Sequence, residues 1–178
     1  LCLQKIITIG KRVYFRKRCP DRKQHTCIGL VELTDRCNLS CPMCFASSGP
    51  GGRDHSMSDI IASLDRLIAT EGRAEVCQLS GGEPTLHPQF EAVVDEALAR
   101  PIDNVMVNTN GIRLAKDWNL VAFLADRRDR VEIYLQWDGE DHATLVRLRG
   151  EPLSDIIGFV ANRRPRRFCS VCQRRFRD

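Results

Sequence analysis

At 178 residues with 43% apolar side chains, the chain is long enough to bury one core of its own. No apolar run approaches the roughly 20 residues of a membrane-spanning helix, and no basic start leads into an apolar stretch with a small-residue cleavage site, so a reducing cytoplasm is the default expectation. The formal charge of +4 hides an asymmetry: residues 1–23 carry 8 basic and 1 acidic side chains, residues 163–178 carry 7 and 1, and the middle holds 12 against 21. Clustered arginines can neutralise phosphates, but only Phe168 and Phe176 offer stacking rings among those of the tail, so solvated basic ends are the expectation and nucleic acid is not.

Residues 1–27 form a basic segment that holds Cys2, Cys19 and Cys27. The core is expected over 28–150 and an Arg-rich tail with a CxxC pair over 151–178. Nine cysteines would suggest disulfides in a small secreted protein, but here five of them fall in CxxxCxxC and CxxC groups, which favours metal ligation.

Ile28 to Leu33 reads as a first strand and runs directly into Cys37-Asn38-Leu39-Ser40-Cys41-Pro42-Met43-Cys44. Three thiolates at this spacing can hold three corners of an iron–sulfur cube and leave the fourth iron open to a substrate or cofactor. Zinc is the competing reading, and a compact triplet fits it less well than two separated pairs would. Pro50-Gly51-Gly52 then breaks the chain. Ser56 and Asp59 form a capping-box-like start, Ile60, Ile61, Leu64, Leu67 and Ile68 recur on one helical face, and Gly72 ends that helix.

A second strand, Glu75 to Leu79, ends in Ser80-Gly81-Gly82-Glu83-Pro84. Adjacent glycines let backbone approach a ligand closely, and a neighbouring carboxylate can accept from an ammonium group; an ordinary strand-to-helix turn is the bland alternative. A helix follows with Phe90, Val93, Val94, Ala97 and Leu98 inward, closed by Pro101. The third strand, Asn104 to Asn108, leads to Thr109-Asn110-Gly111 and a helix expected to bury Leu114, Trp118, Val121 and Leu124. Val131 to Gln136 is the fourth strand. Strands alternating with helices mean parallel pairing, with every candidate motif at one edge of the sheet. Cys77 is expected to be a small buried hydrophobe, and His55, His87 and His142 to serve surface or capping roles.

CNLSCPMC followed by LSGGEPTLHP resembles the radical S-adenosylmethionine (radical SAM) superfamily, with both motifs in the family's order. Lys23 to Cys27, the CPMCFA loop and Tyr134 to Gly139 resemble its pterin dimethyltransferase-like and tetraether-lipid-synthase-like branch. The resemblance implies an α/β fold, a partial TIM-type (β/α) barrel of which about four units are present, and an incomplete barrel is the expectation since the pattern fades after Gly150. It further implies that Cys37, Cys41 and Cys44 ligate a [4Fe-4S] cluster whose open iron chelates S-adenosyl-L-methionine (SAM), and that Gly81, Gly82 and Glu83 face the SAM amino group.

By the same resemblance, Phe45, Asn108, Asn110, Gln136 and Asp138 approach the cofactor, Met43 standing where the family usually has an aromatic and Phe45 following instead. Cys19 and Cys27 could hold an auxiliary cluster or zinc, a reading level with free thiols, and Cys169 and Cys172 form a weak CxxC signal. The implied activity is reduction of SAM to a 5'-deoxyadenosyl radical for methylation or carbon–carbon bond formation at an unactivated carbon, with an organic substrate and an electron donor such as ferredoxin or flavodoxin as partners. An inactive truncated homologue and a zinc-stabilised nucleic-acid-binding module are the alternatives.

Overall fold

The computed structural model describes residues 8–9, 12–13, 28–136 and 142–150. Cys2, Cys19, Cys27, Asp138, Cys169, Cys172 and the tail 151–178 lie outside the described residues, and with them the expectations for the auxiliary site and the CxxC pair.

Strands β1 (Thr8–Ile9) and β2 (Arg12–Val13) form a two-residue antiparallel pair. The rest is one parallel sheet in chain order, β3 (Ile28–Thr34), β4 (Ala74–Gly81), β5 (Ile102–Thr109) and β6 (Val131–Leu135). Between the strands run α1 (Met57–Glu71), α2 (Phe90–Leu98), α3 (Ile112–Lys116) and α4 (Trp118–Asp126), and α5 (His142–Arg149) follows β6. The expected α/β architecture with four parallel units is therefore present.

Register explains why the sheet has two unlike faces. Val31 pairs with Leu79, Leu79 with Val107 and Val107 with Ile133, so one apolar row crosses all four strands. Since alternate side chains share a face, this row joins Leu33, Cys77, Val105 and Val131 in the core formed with Ile60 and Leu64 of α1, Phe90, Val93 and Val94 of α2, and Leu120 and Leu124 of α4. On the other face Leu30 and Tyr134 stay 55% and 45% exposed. Within the core, burial pushes the Cys77 thiol up to about 12, which makes it an inert hydrophobe at neutral pH.

The helix ends follow local chemistry. Ser56 caps α1 by accepting from Asp59 N–H at 3.2 Å, and Gly72, at φ 70°, closes it with its N–H on Ile68 C=O. The segment after β5 departs from the sequence expectation. Instead of one helix it forms two, because Asp117 ends α3 in an extended conformation and caps α4 by accepting from Leu120 N–H at 3.0 Å. The restart changes the helical phase, so Trp118 is 61% exposed rather than inward, while Leu114, Leu120 and Leu124 are buried.

The Leu120 N–H, and then the Arg113 guanidinium, hold the Asp117 carboxyl below its usual range. A lowered folded value stabilises above the unfolded pKa and fades as pH falls through the folded one. Asp117→Ala is expected to cost about 1 kcal/mol in urea unfolding at neutral pH. That difference from wild type should vanish in acid well below about pH 4.

Candidate functional site

Every motif residue that the structure describes sits at the C-terminal edge of the sheet. The cysteine loop leaves β3 at Thr34 and returns through Asp54, and its two arms are tied together at the root. Asp35 N–H donates to Arg53 C=O, Cys37 N–H to Gly49 C=O and His55 N–H to Leu33 C=O, each at 2.9–3.0 Å. Thr34 Oγ1 donates to Asp54 Oδ1 at 2.7 Å, and Arg36 Nη2 reaches both Asp54 Oδ2 and Leu86 C=O at 2.8 Å. Burial alone would raise the Asp54 carboxyl, but the Thr34 and Arg36 hydrogen bonds outweigh it and hold the group below its ordinary range.

The glycine turn is zipped onto this root. Gly82 N–H donates to Thr34 C=O at 2.7 Å and Glu83 N–H to Arg36 C=O at 2.9 Å. Such an approach leaves no room for side chains. A Cβ at Gly81, whose φ is 122°, would lie 2.3 Å from Thr34 O, and one at Gly82 would lie 2.4 Å from Arg36 O. The close approach that the sequence suggested is thus made to the backbone of the cysteine loop.

Glu83 is 1% exposed, and both its carboxylate oxygens are engaged inside the protein. Oε1 accepts from Thr85 Oγ1 at 2.5 Å, Thr85 N–H at 3.2 Å and Thr109 Oγ1 at 2.7 Å, while Oε2 accepts from Asn110 N–H at 2.7 Å. Burial raises this carboxyl, and its four donors partly offset the rise. Glu83 thereby ties the end of β4 to the end of β5. Arg113, from α3, adds a bond to Thr85 C=O.

The three cysteines occupy different surroundings. Cys37 is buried with Leu39 and Leu145, flanked by Ile112, Ala115 and Leu135. Burial raises its thiol, while Leu39 N–H pulls the other way and Glu83, Cys41 and Cys44 add to the rise. Cys41 and Cys44 are half-buried, and Cys44 N–H donates to Cys41 C=O at 3.1 Å to close a turn between them. Met43 and Phe45 project outward at 80% and 89% exposure.

Among the described residues no three Cys, His, Asp or Glu side chains are already gathered at metal-binding range. The donor chemistry nevertheless suits an iron–sulfur cluster. Three free thiols share one loop, one of them sits in an apolar pocket, and N–H groups point at its sulfur.

Asn110 Nδ2 reaches Asn38 Oδ1 at 2.8 Å and Cys37 Sγ at 3.8 Å, so it belongs with the cysteine loop. Asn108 and Gln136 meet in a separate polar chain. Gln136 Nε2 donates to Asn108 Oδ1 at 2.8 Å, Arg149 Nη2 donates to Gln136 Oε1 at 3.2 Å, and Asn108 Nδ2 approaches Ser80 Oγ at 3.5 Å. Sequence reasoning missed Thr85, Thr109, Arg36 and Arg149. The threonines had a usable signal, since Thr85 lies two residues past Glu83 and Thr109 ends β5 between Asn108 and Asn110; the arginines had none. His87 is a cap, as expected, but buried rather than on the surface: its imidazole contacts His55 C=O at 2.9 Å and accepts from Gln89 N–H at 3.1 Å.

Comparison with known proteins agrees with the motif order. The chain is 32% identical over 140 residues to 7,8-dihydro-6-hydroxymethylpterin dimethyltransferase of Methanocaldococcus jannaschii, a match covering 78% of this chain and 27% of that protein. It is 34% identical over 129 residues to mycofactocin maturase MftC of Mycobacterium tuberculosis (70% and 31%) and 36% identical over 137 residues to GTP 3',8-cyclase of a Mycobacterium species (74% and 38%). The chain thus spans only about a third of the length of these enzymes. No helix among the described residues is long and apolar enough to cross a membrane. Residues 31–173 match the family model for the radical SAM superfamily, whose members combine a [4Fe-4S] cluster with SAM on a partial (β/α) barrel, and the chain belongs to that superfamily.

Proposed function

We propose that this chain holds a [4Fe-4S] cluster through Cys37, Cys41 and Cys44, binds SAM beside it at the C-terminal edge of the sheet, and serves methylation or carbon–carbon bond formation at an unactivated carbon. The observation that carries the reading is the backbone zipper between the glycine turn and the root of the cysteine loop. It fixes the two motifs against each other, so a cofactor held by one would lie against the other. When bound, the cluster and SAM would supply one-electron chemistry at the sulfonium. The chain's own part is to anchor, orient and shield. Leu39, Leu145 and Ile112 keep one side of the thiol loop dry, and the Asn108–Gln136–Arg149 chain offers polar groups at the same sheet edge.

The methyltransferase or bond-forming outcome draws on the names of the dimethyltransferase and cyclase relatives, and the carbon acted on is an organic substrate of a class they do not define. An electron donor such as ferredoxin or flavodoxin would complete the system. In this reading Phe45, the most exposed of the candidate residues that the structure describes, is free to close over a ligand.

Anaerobic reconstitution with iron and sulfide, followed by reduction and addition of SAM, is expected to release 5'-deoxyadenosine. A folded, cluster-loaded chain that yields none would refute the activity. Cys41→Ala is expected to abolish iron and sulfide retention, read by metal analysis and visible absorption, whereas Cys77→Ala should leave retention unchanged because that thiol is buried in the core. Stoichiometric zinc without sulfide in the wild-type chain would favour the zinc-stabilised module instead.

A further inference from the structure

Cys37 differs from its two partners in more than burial. Leu39 N–H lies 3.4 Å from its sulfur and the Asn110 side-chain amide 3.8 Å from it. The orientation of that amide is fixed by its neighbours. Asn110 Oδ1 accepts from Ile112 N–H at 3.0 Å, and since a backbone N–H can only donate, the NH2 half must face Cys37 and the Asn38 Oδ1. The Asn110 backbone is fixed in turn, because its N–H donates to Glu83 Oε2 at 2.7 Å.

We infer that Asn110 is a positioning residue for the Cys37 corner of the cluster, donating to that thiolate sulfur and setting the cluster's potential, and that Glu83 acts on the cysteine loop through Asn110. The inference rests on the reading of Cys37 as a ligand. Its physical basis is charge: a ligating sulfur is more negative when the cluster is reduced, so an N–H donor stabilises the reduced form more than the oxidised one. A buried site strengthens the effect, because water does not compete for the sulfur.

The test is an EPR-monitored redox titration of the full chain reconstituted with iron and sulfide. Asn110→Ser keeps an oxygen able to accept from Ile112 N–H, adds no charge and removes the amide; Asn110→Ala removes both. Each is expected to shift the potential negative, so that at a fixed potential the ratio of reduced to oxidised cluster falls about tenfold, equivalent to about 59 mV for one electron. Asn38→Ala deletes the other partner of the same amide and leaves the sulfur contact, so it should not shift the potential.

An unchanged potential in the Asn110 variants, or an equal shift in Asn38→Ala, overturns the inference and leaves the cluster reading standing. A wild-type chain that retains no iron and sulfide overturns both. If neither Asn110 variant loads a cluster while circular dichroism shows wild-type structure, the positioning role is supported; if both lose structure without iron present, Asn110 is a fold residue and the inference fails.

Discussion

Replacing Glu83 with Ala is expected to destabilise the cofactor-free chain by about 3–5 kcal/mol, read as a lower urea midpoint at unchanged slope. The carboxylate is 1% exposed and receives two backbone N–H groups and two hydroxyls from Thr85, Thr109 and Asn110. Truncation strands these donors in a buried space, and an unsatisfied buried donor costs about 1–3 kcal/mol. Glu83→Gln should cost less, since its remaining oxygen can serve some of the same donors.

The resemblance gave this residue to the SAM amino group, a role that would leave the cofactor-free chain untouched. Wild-type stability in Glu83→Ala would therefore sink the structural role and favour the ligand one. The pH dependence adds a second check. Burial holds the folded carboxyl above its unfolded range, so its contribution is full below the unfolded pKa of about 4.3 and is lost as pH rises through the folded value. Two of its partners are hydroxyls that can turn to accept when the acid is protonated. The wild-type minus Glu83→Gln difference should fall across that window, and a difference that grows with pH would contradict the assignment.

Gly81→Ala is the second change expected to be severe, at about 3–5 kcal/mol. Two penalties coincide there. The φ of 122° is outside what an L side chain adopts readily, and the new Cβ would stand 2.3 Å from a backbone oxygen, which cannot swing away as a side-chain tip can. Relief requires the turn to lift off Thr34, which breaks the Gly82 N–H bond to that same oxygen. Gly51→Ala is the matched control. It lies in the same loop system, meets nothing within 4 Å, and should change stability by less than about 0.5 kcal/mol. Equal losses in the two variants would show that the zipper is not what makes Gly81 necessary.

The glycine pair and the cysteine triplet were visible as motifs, because backbone freedom and thiol chemistry are properties of residue types. Their mutual contact was not visible, since Thr34 and Arg36 accept through backbone carbonyls that any residue could present. Glu83 was visible as a carboxylate, but its direction depended on Thr109 and Asn110, carried on a different strand. Trp118 illustrates the opposite failure: apolar spacing places it inward on one continuous helix, but Asp117 resets the helix phase by capping it anew and leaves it exposed.

The sequence by itself determined the parallel α/β order, the caps at Ser56 and Gly72, and the identity of the thiols, because each depends on contacts local in the chain or on the chemistry of one side chain. Tertiary structure decided the rest. Only strand pairing brings the ends of β3, β4 and β5 to one edge, and only there do Gly82, Glu83, Asn110 and the cysteine loop become a single connected unit. The physical reason is that buried polar groups must be satisfied by whatever the fold sets beside them, and those partners come from distant parts of the chain.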